Sequence, residues 1–252
     1  MSGLFDLSGK AAIVTGSTRG IGKAIAEALI ASGARVVISS ESAEDTTLVA
    51  TELGMPGMAC DVTDDAALAQ LVDFAESALG GIDVLVCNAG ITGQAGPFAT
   101  IDMDDYARVM AINLRSQVVL CNLALPRIAR RGGGAAVLVS SLSGLRGNGR
   151  INAYALAKAG VAQLARNLAV EWGPRAVRVN AISPGFIATE LSGPLLRDAA
   201  FMERRMAATP LRRAGTPQEV AGAAVFLASP AGAFVTGHNL VVDGGTLVTD
   251  GS

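Results

Sequence analysis

Short, uninterrupted apolar runs alternate along the chain with longer stretches in which apolar residues recur at helical spacing. The apolar runs predict seven strands, at 11–15, 35–39, 57–61, 83–87, 135–140, 177–183 and 239–245. The stretches between them predict helices over about 20–32, 43–53, 64–79, 102–130 and 153–172, and a last helix that starts near 216–217. Strands that are apolar on both faces indicate a parallel sheet with helices on both sides.

The order of these elements predicts the fold. It fits a single-domain α/β protein, a Rossmann-type doubly wound parallel sheet with strand order 3-2-1-4-5-6-7 and right-handed crossovers. No linker, low-complexity tract or repeat interrupts residues 1–252, which we interpret as one domain. In such a sheet, ligands bind beyond the carboxyl ends of the strands. The polar and glycine-rich residues that follow the strands are predicted to gather there: Thr15-Gly16, Ser40-Glu41, Asp61, Asn88-Ala89-Gly90, Ser141 and Pro184-Gly185.

Composition narrows the classes of protein. The 252 residues are 50% hydrophobic and 17% charged, which is ample for a large core, and the net charge of -2 does not suggest nucleic acid. No apolar run approaches the roughly 18–20 residues of a membrane span, and the start lacks the features of a signal peptide. The spacing of Cys60, Cys87 and Cys121 does not suggest a metal site and indicates buried thiols in a reducing cytosol. We therefore expect a cytoplasmic protein with no metal, no nucleic acid and no membrane partner.

A glycine-rich turn, "TGSTRGIG" at 15–22, joins the first strand to the first helix. Gly16 permits a tight turn, and Gly20 and Gly22 let the backbone come close to a phosphate. The N-terminus of the helix offers unpaired N–H groups and a positive dipole end to that phosphate. After the first strand of a βαβ unit, this turn predicts a dinucleotide site.

We expect the residues at the end of the second strand to bind the adenosine ribose. An acid there favours NAD, whereas an arginine nearby favours NADP. Ser40 holds the usual place of the acid, Glu41 follows it, and Arg19 could face a 2′-phosphate. Because Glu41 would repel a phosphate, the pattern leans weakly to NAD; a solvated acid at a helix start is the alternative reading of Glu41.

Two further turns lie on the predicted cofactor path. Asp61 could accept from the adenine amino group, or it could cap the next helix, although Thr63 and Asp64 are better placed for capping. Asn88-Ala89-Gly90 predicts a sharp turn of small residues that suits a cofactor lying across it.

A possible reaction centre follows the fifth strand. Tyr154 and Lys158 are four residues apart and share one helix face. Ser141 precedes them at a strand end, and Asn113 lies within a predicted helix, where asparagine is a poor helix former.

With these residues in order, the whole chain resembles the short-chain dehydrogenase/reductase family in its form of about 250 residues. The resemblance rests on Thr15-Gly16-x-x-x-Gly20-x-Gly22, Asn88-Ala89-Gly90, Asn113, Ser141, Tyr154-x-x-x-Lys158, Pro184-Gly185 with Thr189, and "VDGG" at 242–245. One departure is Cys87, where the family often has a second asparagine.

The resemblance implies a mechanism. Tyr154 would be the general acid/base, and the Lys158 ammonium would lower the tyrosine pKa from its usual value near 10 and hydrogen-bond the nicotinamide ribose. Ser141 would orient the substrate oxygen, and Asn113 would hold a water in a proton relay. Thr189 would bind the nicotinamide carboxamide, and Pro184-Gly185 would let the ring lie close.

These arguments define three predicted sets of residues. The catalytic set is Asn113, Ser141, Tyr154 and Lys158. The cofactor set is Gly16, Ser17, Arg19, Gly20, Ile21, Gly22, Ser40, Glu41, Asp61, Val62, Asn88, Ala89, Gly90, Tyr154, Lys158, Pro184, Gly185, Ile187 and Thr189. The substrate set is Ile91, Ser143, Ser141 and Tyr154, under a lid formed by the irregular segment 186–214.

The predicted function is an NAD(P)-dependent oxidoreductase that interconverts a secondary alcohol and a ketone. One alternative is a 3-oxoacyl-(acyl carrier protein) reductase, for which Arg130, Arg131 and Arg175 could form the basic entrance. A non-catalytic nucleotide sensor or scaffold is the alternative from another class, and the complete catalytic set argues against it.

Two further expectations concern the surroundings of the site. Arg146 and Arg150 could select an acidic substrate or could simply be solvated. The family resemblance implies a homotetramer, through pairing of helices 153–172 and 102–130 across a dimer. The last strand and "VTGH" at 235–238 would add a second contact.

Overall fold

Six parallel strands form one sheet in the order β2-β1-β3-β4-β5-β6. The computed structural model describes residues 3–249. The strands are β1 Ala11–Thr15, β2 Arg35–Ser39, β3 Val84–Cys87, β4 Gly134–Val139, β5 Val177–Pro184 and β6 Asn239–Val242. The predicted class, a doubly wound parallel sheet, is confirmed.

Helices cover both faces of this sheet. They are α1 Gly20–Ala31, α2 Ala43–Leu53, α3 Asp65–Leu79, α4 Met103–Met110, α5 Ser116–Arg130, α6 Asn152–Trp172, α7 Gly193–Leu196, α8 Ala199–Ala207 and α9 Pro217–Ala228. Successive residues of β1 point to opposite faces, so Ile13 packs with α3, α5 and α6, whereas Val14 packs with α1 and α9. This alternation places one apolar core on each side of the sheet.

The predicted strand 57–61 is wrong, and the strand order loses that member. Gly57 forms a single bridge with Ile38 at the β2 edge. The segment keeps backbone hydrogen bonds to this edge, from Met58 N to Ile38 O and from Cys60 N to Ser40 O. The ladder is interrupted between them because the Ser40 amide donates to Thr46 Oγ1 in α2 at 3.2 Å. The remaining six strands keep the predicted relative order.

The predicted helix over 102–130 is continuous but not uniform. A π-helical turn, Ala111–Arg115, separates α4 from α5 and holds the buried Asn113. The irregular segment 186–214 forms the two short helices α7 and α8.

One stretch of the described residues, Met103–Arg130, is long and apolar enough to cross a membrane, with 44% of its most apolar window buried inside the protein. The expectation that no stretch reaches that length is therefore wrong by length and composition. The stretch packs on α3 and α6, and a helix packed on the core of a globular protein passes the same test, so one such helix is weak evidence of a membrane span.

The three cysteines are buried free thiols, as predicted. Within residues 3–249, no group of three or more His, Cys, Asp or Glu side chains is placed to hold a metal ion.

Candidate active site

The glycine-rich turn between β1 and α1 adopts a backbone that side chains would prevent. Gly16 and Gly20 have positive φ angles of 62° and 54°, a region that favours glycine. A Cβ at Gly22 would overlap the Gly16 carbonyl oxygen and approach Asn88 Nδ2. Small residues are therefore required at these points for the helix to start this close to the strand.

The N-terminus of α1 is open to an anion. Its N-cap residue, Arg19, makes no side-chain capping bond, and the first turn has no acid. In contrast, α3 is capped by Asp64, and α9 has a full capping box formed by Thr216 and Glu219. Uncapped N–H donors beside a glycine turn suit the phosphates of a dinucleotide, so this end of the chain fits the cofactor.

Asn88 braces the glycine turn from β3. Its Nδ2 donates to Thr15 O at 3.0 Å and Gly16 O at 2.9 Å. The amides of Asn88 and Ala89 donate back to Thr15 Oγ1 at 3.1 and 3.2 Å. Thr15 was predicted to lie at this edge of the sheet, but its role in bracing the turn was missed.

The predicted adenosine contacts differ in how accessible they are. Ser17 is fully buried, and its Oγ accepts from the Ser39 amide at 2.8 Å. Ser40 is also buried, with its Oγ 3.0 Å from Thr46 Oγ1. These two hydroxyls are engaged in hydrogen bonds within the protein. In contrast, Arg19 and Glu41 are exposed and pair with each other at 3.2 Å.

Asp61 and Val62 follow Cys60 at the same edge. Asp61 Oδ1 accepts from Thr63 N and Oγ1, at 2.9 and 2.8 Å. Because Asp64 caps α3, the alternative reading of Asp61 as the cap is wrong.

The segment after β5 returns to the glycine turn. The Gly185 amide donates to Val242 O at 2.9 Å, and a Cβ at Gly185 would lie 2.6 Å from Asp243 Cβ. Ile187 is buried, and the Thr189 methyl would lie 3.5 Å from a Cβ on Gly20. Thr189 therefore lies beside the glycine turn, as a cofactor contact requires.

Ser192 fixes that segment and was missed by sequence reasoning. Its Oγ accepts from the Thr189 amide at 2.9 Å and donates to Ile187 O at 2.8 Å. No spacing in the sequence indicates this loop closure.

Ser141, Tyr154 and Lys158 come together at the carboxyl end of β4. Ser141 caps a 3₁₀ turn, Leu142–Gly144, and its hydroxyl is near enough to Tyr154 to lower the pKa of the phenol. Lys158 is 3% exposed; its Nζ donates to Val139 O at 2.6 Å and lies 5.6 Å from the centre of the Tyr154 ring.

Two neighbours that sequence reasoning missed hold α6 against this strand end. Ser140 Oγ donates to the main-chain oxygen of Lys158 at 2.6 Å. A Cβ at Gly144 would lie 2.6 Å from the Ala159 amide nitrogen. The 3₁₀ turn thus packs directly on the backbone of α6, which explains how strand and helix stay in register.

The pKa of Tyr154 is shifted in the opposite direction to the one predicted from the sequence. Burial raises the pKa of Tyr154, and the hydrogen bond from Ser141 only partly opposes this. Burial also lowers the pKa of Lys158 to about 8. The predicted lowering of the Tyr154 pKa is therefore wrong for the chain by itself, because desolvation of the phenol is the largest influence on it.

Asn113 anchors the loop after β3. Its Nδ2 donates to Ile91 O at 2.7 Å, and its Oδ1 accepts from the Ile91 amide at 2.9 Å. A Cβ at Gly90 would lie 2.5 Å from Asn113 Oδ1 and 3.5 Å from Lys158 Nζ. The four predicted catalytic residues therefore belong to one contiguous group, with Ile91 at its border.

The arginines separate into two edges of the sheet. Arg130 and Arg131 lie at the end of α5, where Arg131 pairs with Asp83 at 3.4 Å. Arg175 stacks on Trp172 at 4.8 Å just before β5. These three precede strands and lie opposite the reaction centre, whereas Arg146 and Arg150 follow Ser141 and Ser143 on the same edge.

Comparison with known proteins agrees with this arrangement. The family described as Enoyl-(Acyl carrier protein) reductase matches residues 16–246. The 7alpha-hydroxysteroid dehydrogenase of Escherichia coli (strain K12) is 38% identical over 212 residues, which is 82% of each protein. The cis-4-hydroxycyclohexanecarboxylate dehydrogenase of Sinomonas cyclohexanicum is 40% identical over 193 residues, or 75% of this chain and 78% of the relative.

Solved structures extend the match over nearly the whole chain. A gluconate 5-dehydrogenase from Burkholderia cenocepacia J2315, in complex with NADP and tartrate, has a TM-score of 0.94 at 32% identity, covering 98% of this chain and 99% of that one. A 7 alpha-hydroxysteroid dehydrogenase complexed with NADH and 7-oxo glycochenodeoxycholic acid has a TM-score of 0.91 at 38% identity, covering 96% of both.

The fold, the open glycine turn and the polar group at the ends of β4 and α6 define a nicotinamide-dependent oxidoreductase. The chain belongs to the short-chain dehydrogenase/reductase family. It is an NAD(P)-dependent enzyme that interconverts secondary alcohols and ketones.

Proposed function

We propose that Tyr154 exchanges the proton with the substrate oxygen and that Ser141 orients this oxygen. The observation that carries the proposal is the placement of the buried Lys158, whose Nζ lies 5.6 Å from the centre of the Tyr154 ring, beside the strand end that holds Ser141. The bound nicotinamide supplies or accepts the hydride. Lys158, already held on Val139 O, would hydrogen-bond the nicotinamide ribose and keep a positive charge beside Tyr154.

The raised pKa of Tyr154 favours one role at neutral pH. A protonated phenol is a proton donor, so carbonyl reduction needs no prior ionisation. Alcohol oxidation needs the phenolate, and its rate is expected to rise with pH between about 7 and 10. Initial rates in both directions, measured across that range, check this prediction; an oxidation rate that falls with pH would contradict it.

Asn113 contributes mainly through position in this proposal. Both of its amide atoms are engaged by Ile91, and its main-chain oxygen accepts from Gln117 at 3.0 Å. A relay water on Asn113 stays a prediction, and the anchored loop supports the placement of Ile91 and Ser143 at the border of the substrate site.

Replacing Tyr154 by Phe tests the assignment. Turnover is expected to fall by about 10²- to 10⁴-fold, because the proton donor is lost, whereas the dissociation constant of NADH should change by less than about twofold. Tyr106→Phe is the matched control, since Tyr106 is the other tyrosine of the chain and lies on α4. Unimpaired turnover in Tyr154→Phe would refute the acid/base role, and Lys158→Ala should weaken turnover and cofactor binding together.

We further propose that NAD is preferred over NADP. Glu41 is exposed at the end of β2, where its carboxylate can accept from a ribose 2′-hydroxyl and would repel a 2′-phosphate. Arg19 is already paired with Glu41. Since an exposed pair is worth only about 0–1 kcal/mol, repulsion by Glu41 is the stronger determinant.

Binding of NADH and NADPH to wild type and to Glu41→Arg tests this preference. Wild type is expected to favour NADH by about tenfold, which is about 1.4 kcal/mol, and the variant should favour NADPH. Glu171→Arg, at an exposed position near the end of α6, controls for the change in net charge. Tighter NADPH binding by wild type would overturn the proposal.

The acyl carrier protein alternative has less support. The arginines offered for its docking face the amino-terminal edge of the sheet, and Arg130 and Arg131 are already paired with Glu76 and Asp83. Rates with neutral ketones and with 3-oxoacyl thioesters, followed by the absorbance of the reduced nicotinamide, distinguish the two functions.

The remaining proposals concern organisation. We propose one domain over residues 1–252, with 186–214 as its lid, in a cytoplasmic homotetramer. Leu156 and Val170 leave apolar surface exposed on α6, and Phe234 does so before "VTGH". Light scattering should give the mass of four chains for wild type and a smaller mass for Val170→Asp; a monomeric wild type would refute this assembly.

A further inference from the structure

The lid helix α8 carries a half-buried arginine without an acidic partner. Arg205 Nε is buried and makes no hydrogen bond, and no ion pair of this guanidinium is found between residues 3 and 249. Its Cζ lies 5.8 Å from the centre of the Phe186 ring. In contrast, Arg115 and Arg213 form close pairs with Asp65 and Glu219.

Nearby charges do not neutralise Arg205. Burial and the positive charge of Arg146 lower its pKa, and the carboxylate of Asp243 opposes them only partly. Both oxygens of Asp243 are engaged elsewhere, since Oδ1 accepts from the Gly245 amide at 2.8 Å and Oδ2 from the Leu247 amide at 2.6 Å. Asp243 therefore acts on Arg205 through its charge but forms no ion pair with it among the described residues, and the exposed Arg146 adds a second positive charge nearby.

This pair lies at the reaction edge of the sheet. Arg146 follows Ser141 by five residues, beyond the end of β4. Phe186, which supports Arg205, directly follows Pro184-Gly185 at the end of the neighbouring strand β5. β4 and β5 pair in parallel up to Val139 and Ile182. The two guanidinium groups thus belong to adjacent strand ends beside the Ser141–Tyr154 centre.

An unsatisfied, partly buried guanidinium is unfavourable in the free protein and favourable toward an anion. Leaving a buried polar group unpaired is unfavourable, and a planar guanidinium can bind a carboxylate with two hydrogen bonds. The aromatic support of Phe186 limits hydration of Arg205 and holds its orientation. Nothing in the fold requires this arrangement, because the other arginines of similar burial, such as Arg178, donate to main-chain oxygens.

We propose that Arg205, assisted by Arg146, binds a carboxylate of the substrate, so that the enzyme acts on hydroxy acids and oxo acids. This inference rests on the proposed function of Tyr154. The hydroxyl or ketone of the substrate would lie at Ser141 and Tyr154, and the carboxylate would lie under the lid. Arg205 is a specificity-determining residue in this assignment and takes no part in proton or hydride transfer.

Paired substrates test the proposal directly. Two oxo acids, 4-oxocyclohexanecarboxylate and 4-oxopentanoate, are compared with their methyl esters by kcat/KM, in wild type and in Arg205→Met at saturating reduced cofactor. Wild type should prefer each acid by about tenfold or more. Arg205→Met should lower kcat/KM for the acids by about 30-fold or more and for the esters by less than about threefold, because only the acids lose charged hydrogen bonds.

Control variants separate charge from packing. Arg204→Met changes the exposed neighbour on the same helix and should leave the preference for acids intact. Arg205→Lys keeps the charge without the planar fork and should restore part of the rate with acids. If Arg205→Met does not fold, Arg146→Met gives the same readout, with an expected loss of about tenfold for acids only.

The outcomes distinguish this inference from the function on which it rests. Equal kcat/KM for acids and esters in wild type, or an equal loss for both in the variants, would overturn the carboxylate site while leaving the oxidoreductase intact. A changed dissociation constant for NADPH without a changed preference for acids would assign Arg205 to the cofactor instead. No reduction of acids, esters or neutral ketones with either cofactor would count against both proposals.

Discussion

The cofactor end and the substrate end of this protein satisfy their polar groups in different ways. At the cofactor end, side chains bond to nearby backbone or to each other, as Asn88 does with Thr15 and Ser40 with Thr46. At the substrate end, the buried Arg205 Nε has no hydrogen-bond partner among the described residues, and Arg146 is exposed to solvent. At the cofactor end the side chains form a braced framework that leaves the backbone N–H groups of α1 for a ligand, whereas at the substrate end a buried side-chain nitrogen is left for one.

This difference separates the residues that determine affinity for the cofactor from those that determine selectivity for the substrate. Braced glycine turns fix a shape that the invariant part of a dinucleotide can occupy, at little cost in side-chain ordering. Unpaired guanidinium groups favour only those substrates that bring a matching charge. Substitutions at the two ends should therefore fail in different measurements.

The largest effect is expected at the cofactor end, from Gly22→Val. A Cβ at this position overlaps the Gly16 carbonyl oxygen, so the turn or the helix must move. The affinity for NADH should fall by at least about 100-fold, because the N–H donors of α1 are displaced from the phosphate position. Fluorescence titration of NADH measures this.

Gly222→Val is the matched control for that substitution. Gly222 lies in the middle of α9 with no atom within 4 Å of its would-be Cβ, and it should tolerate valine with NADH affinity unchanged. A comparable loss in both variants would show that general destabilisation, and not the glycine turn, explains the result.

Much of the framework was predictable from the sequence, because strands buried on both faces and glycine turns leave strong local signals. The strand at 57–61 was not, since its failure depends on one hydrogen bond from Ser40 to Thr46. The π-helical turn at Ala111–Arg115 gave only a weak signal, the poor helix propensity of Asn113. Such features are decided by tertiary contacts that no local pattern encodes.

The site, too, was predictable where local sequence determines it and not where tertiary contacts do. Tyr154, Lys158 and Ser141 were predicted to meet, and they do. The direction of the Tyr154 pKa was wrong because burial is a property of the whole fold. Arg205 was missed because its lack of a partner can be recognised only when every neighbouring group is placed.

The next largest effect is expected from Lys158. It is a change in folding stability with pH. Burial lowers the pKa of Lys158 from its ordinary 10.5 to about 8, so between these pH values the unfolded chain binds more protons than the folded chain. Folding stability should therefore rise with pH across that window and bear the full cost of burying the charge below it. Relative to Lys158→Met, wild type should gain about 2–3 kcal/mol between pH 7 and pH 10.

Urea unfolding of both proteins at several pH values measures this difference. Groups that do not interact with Lys158 titrate equally in the two proteins and cancel; Cys87, whose pKa the Lys158 charge lowers, is the exception. A constant difference across the range would mean that the ammonium is not desolvated in the folded state, and the contrast between a rigid, buried reaction centre and an open substrate end would weaken.

A smaller effect is expected for Asn113→Leu. The variant loses both hydrogen bonds to Ile91 and leaves two backbone groups without their partners, which should reduce the free energy of unfolding by about 2 kcal/mol. Asn167→Leu, at an exposed position on α6, should change it by less than about 0.5 kcal/mol. Equal unfolding midpoints for Asn113→Leu and wild type would refute the anchoring role.

The smallest effect is expected at the start of the lid, and it distinguishes the substrate end from the cofactor end most clearly. Ser192→Ala removes the hydroxyl that links Thr189 to Ile187 at the start of the lid, and should cost about 1 kcal/mol in stability. The KM for substrate should rise several-fold because the lid segment is less well held. The dissociation constant of NADH should rise by a smaller factor, since Thr189 is less well held but the glycine turn keeps its own hydrogen bonds. Ser32→Ala, which removes a hydroxyl bonded to Ala28 O far from the site, should reduce stability similarly without changing KM.

An equal change of KM and NADH affinity in Ser192→Ala would show that the lid and the cofactor turn act as one unit. The distinction between the two ends would then hold for charge but not for mobility.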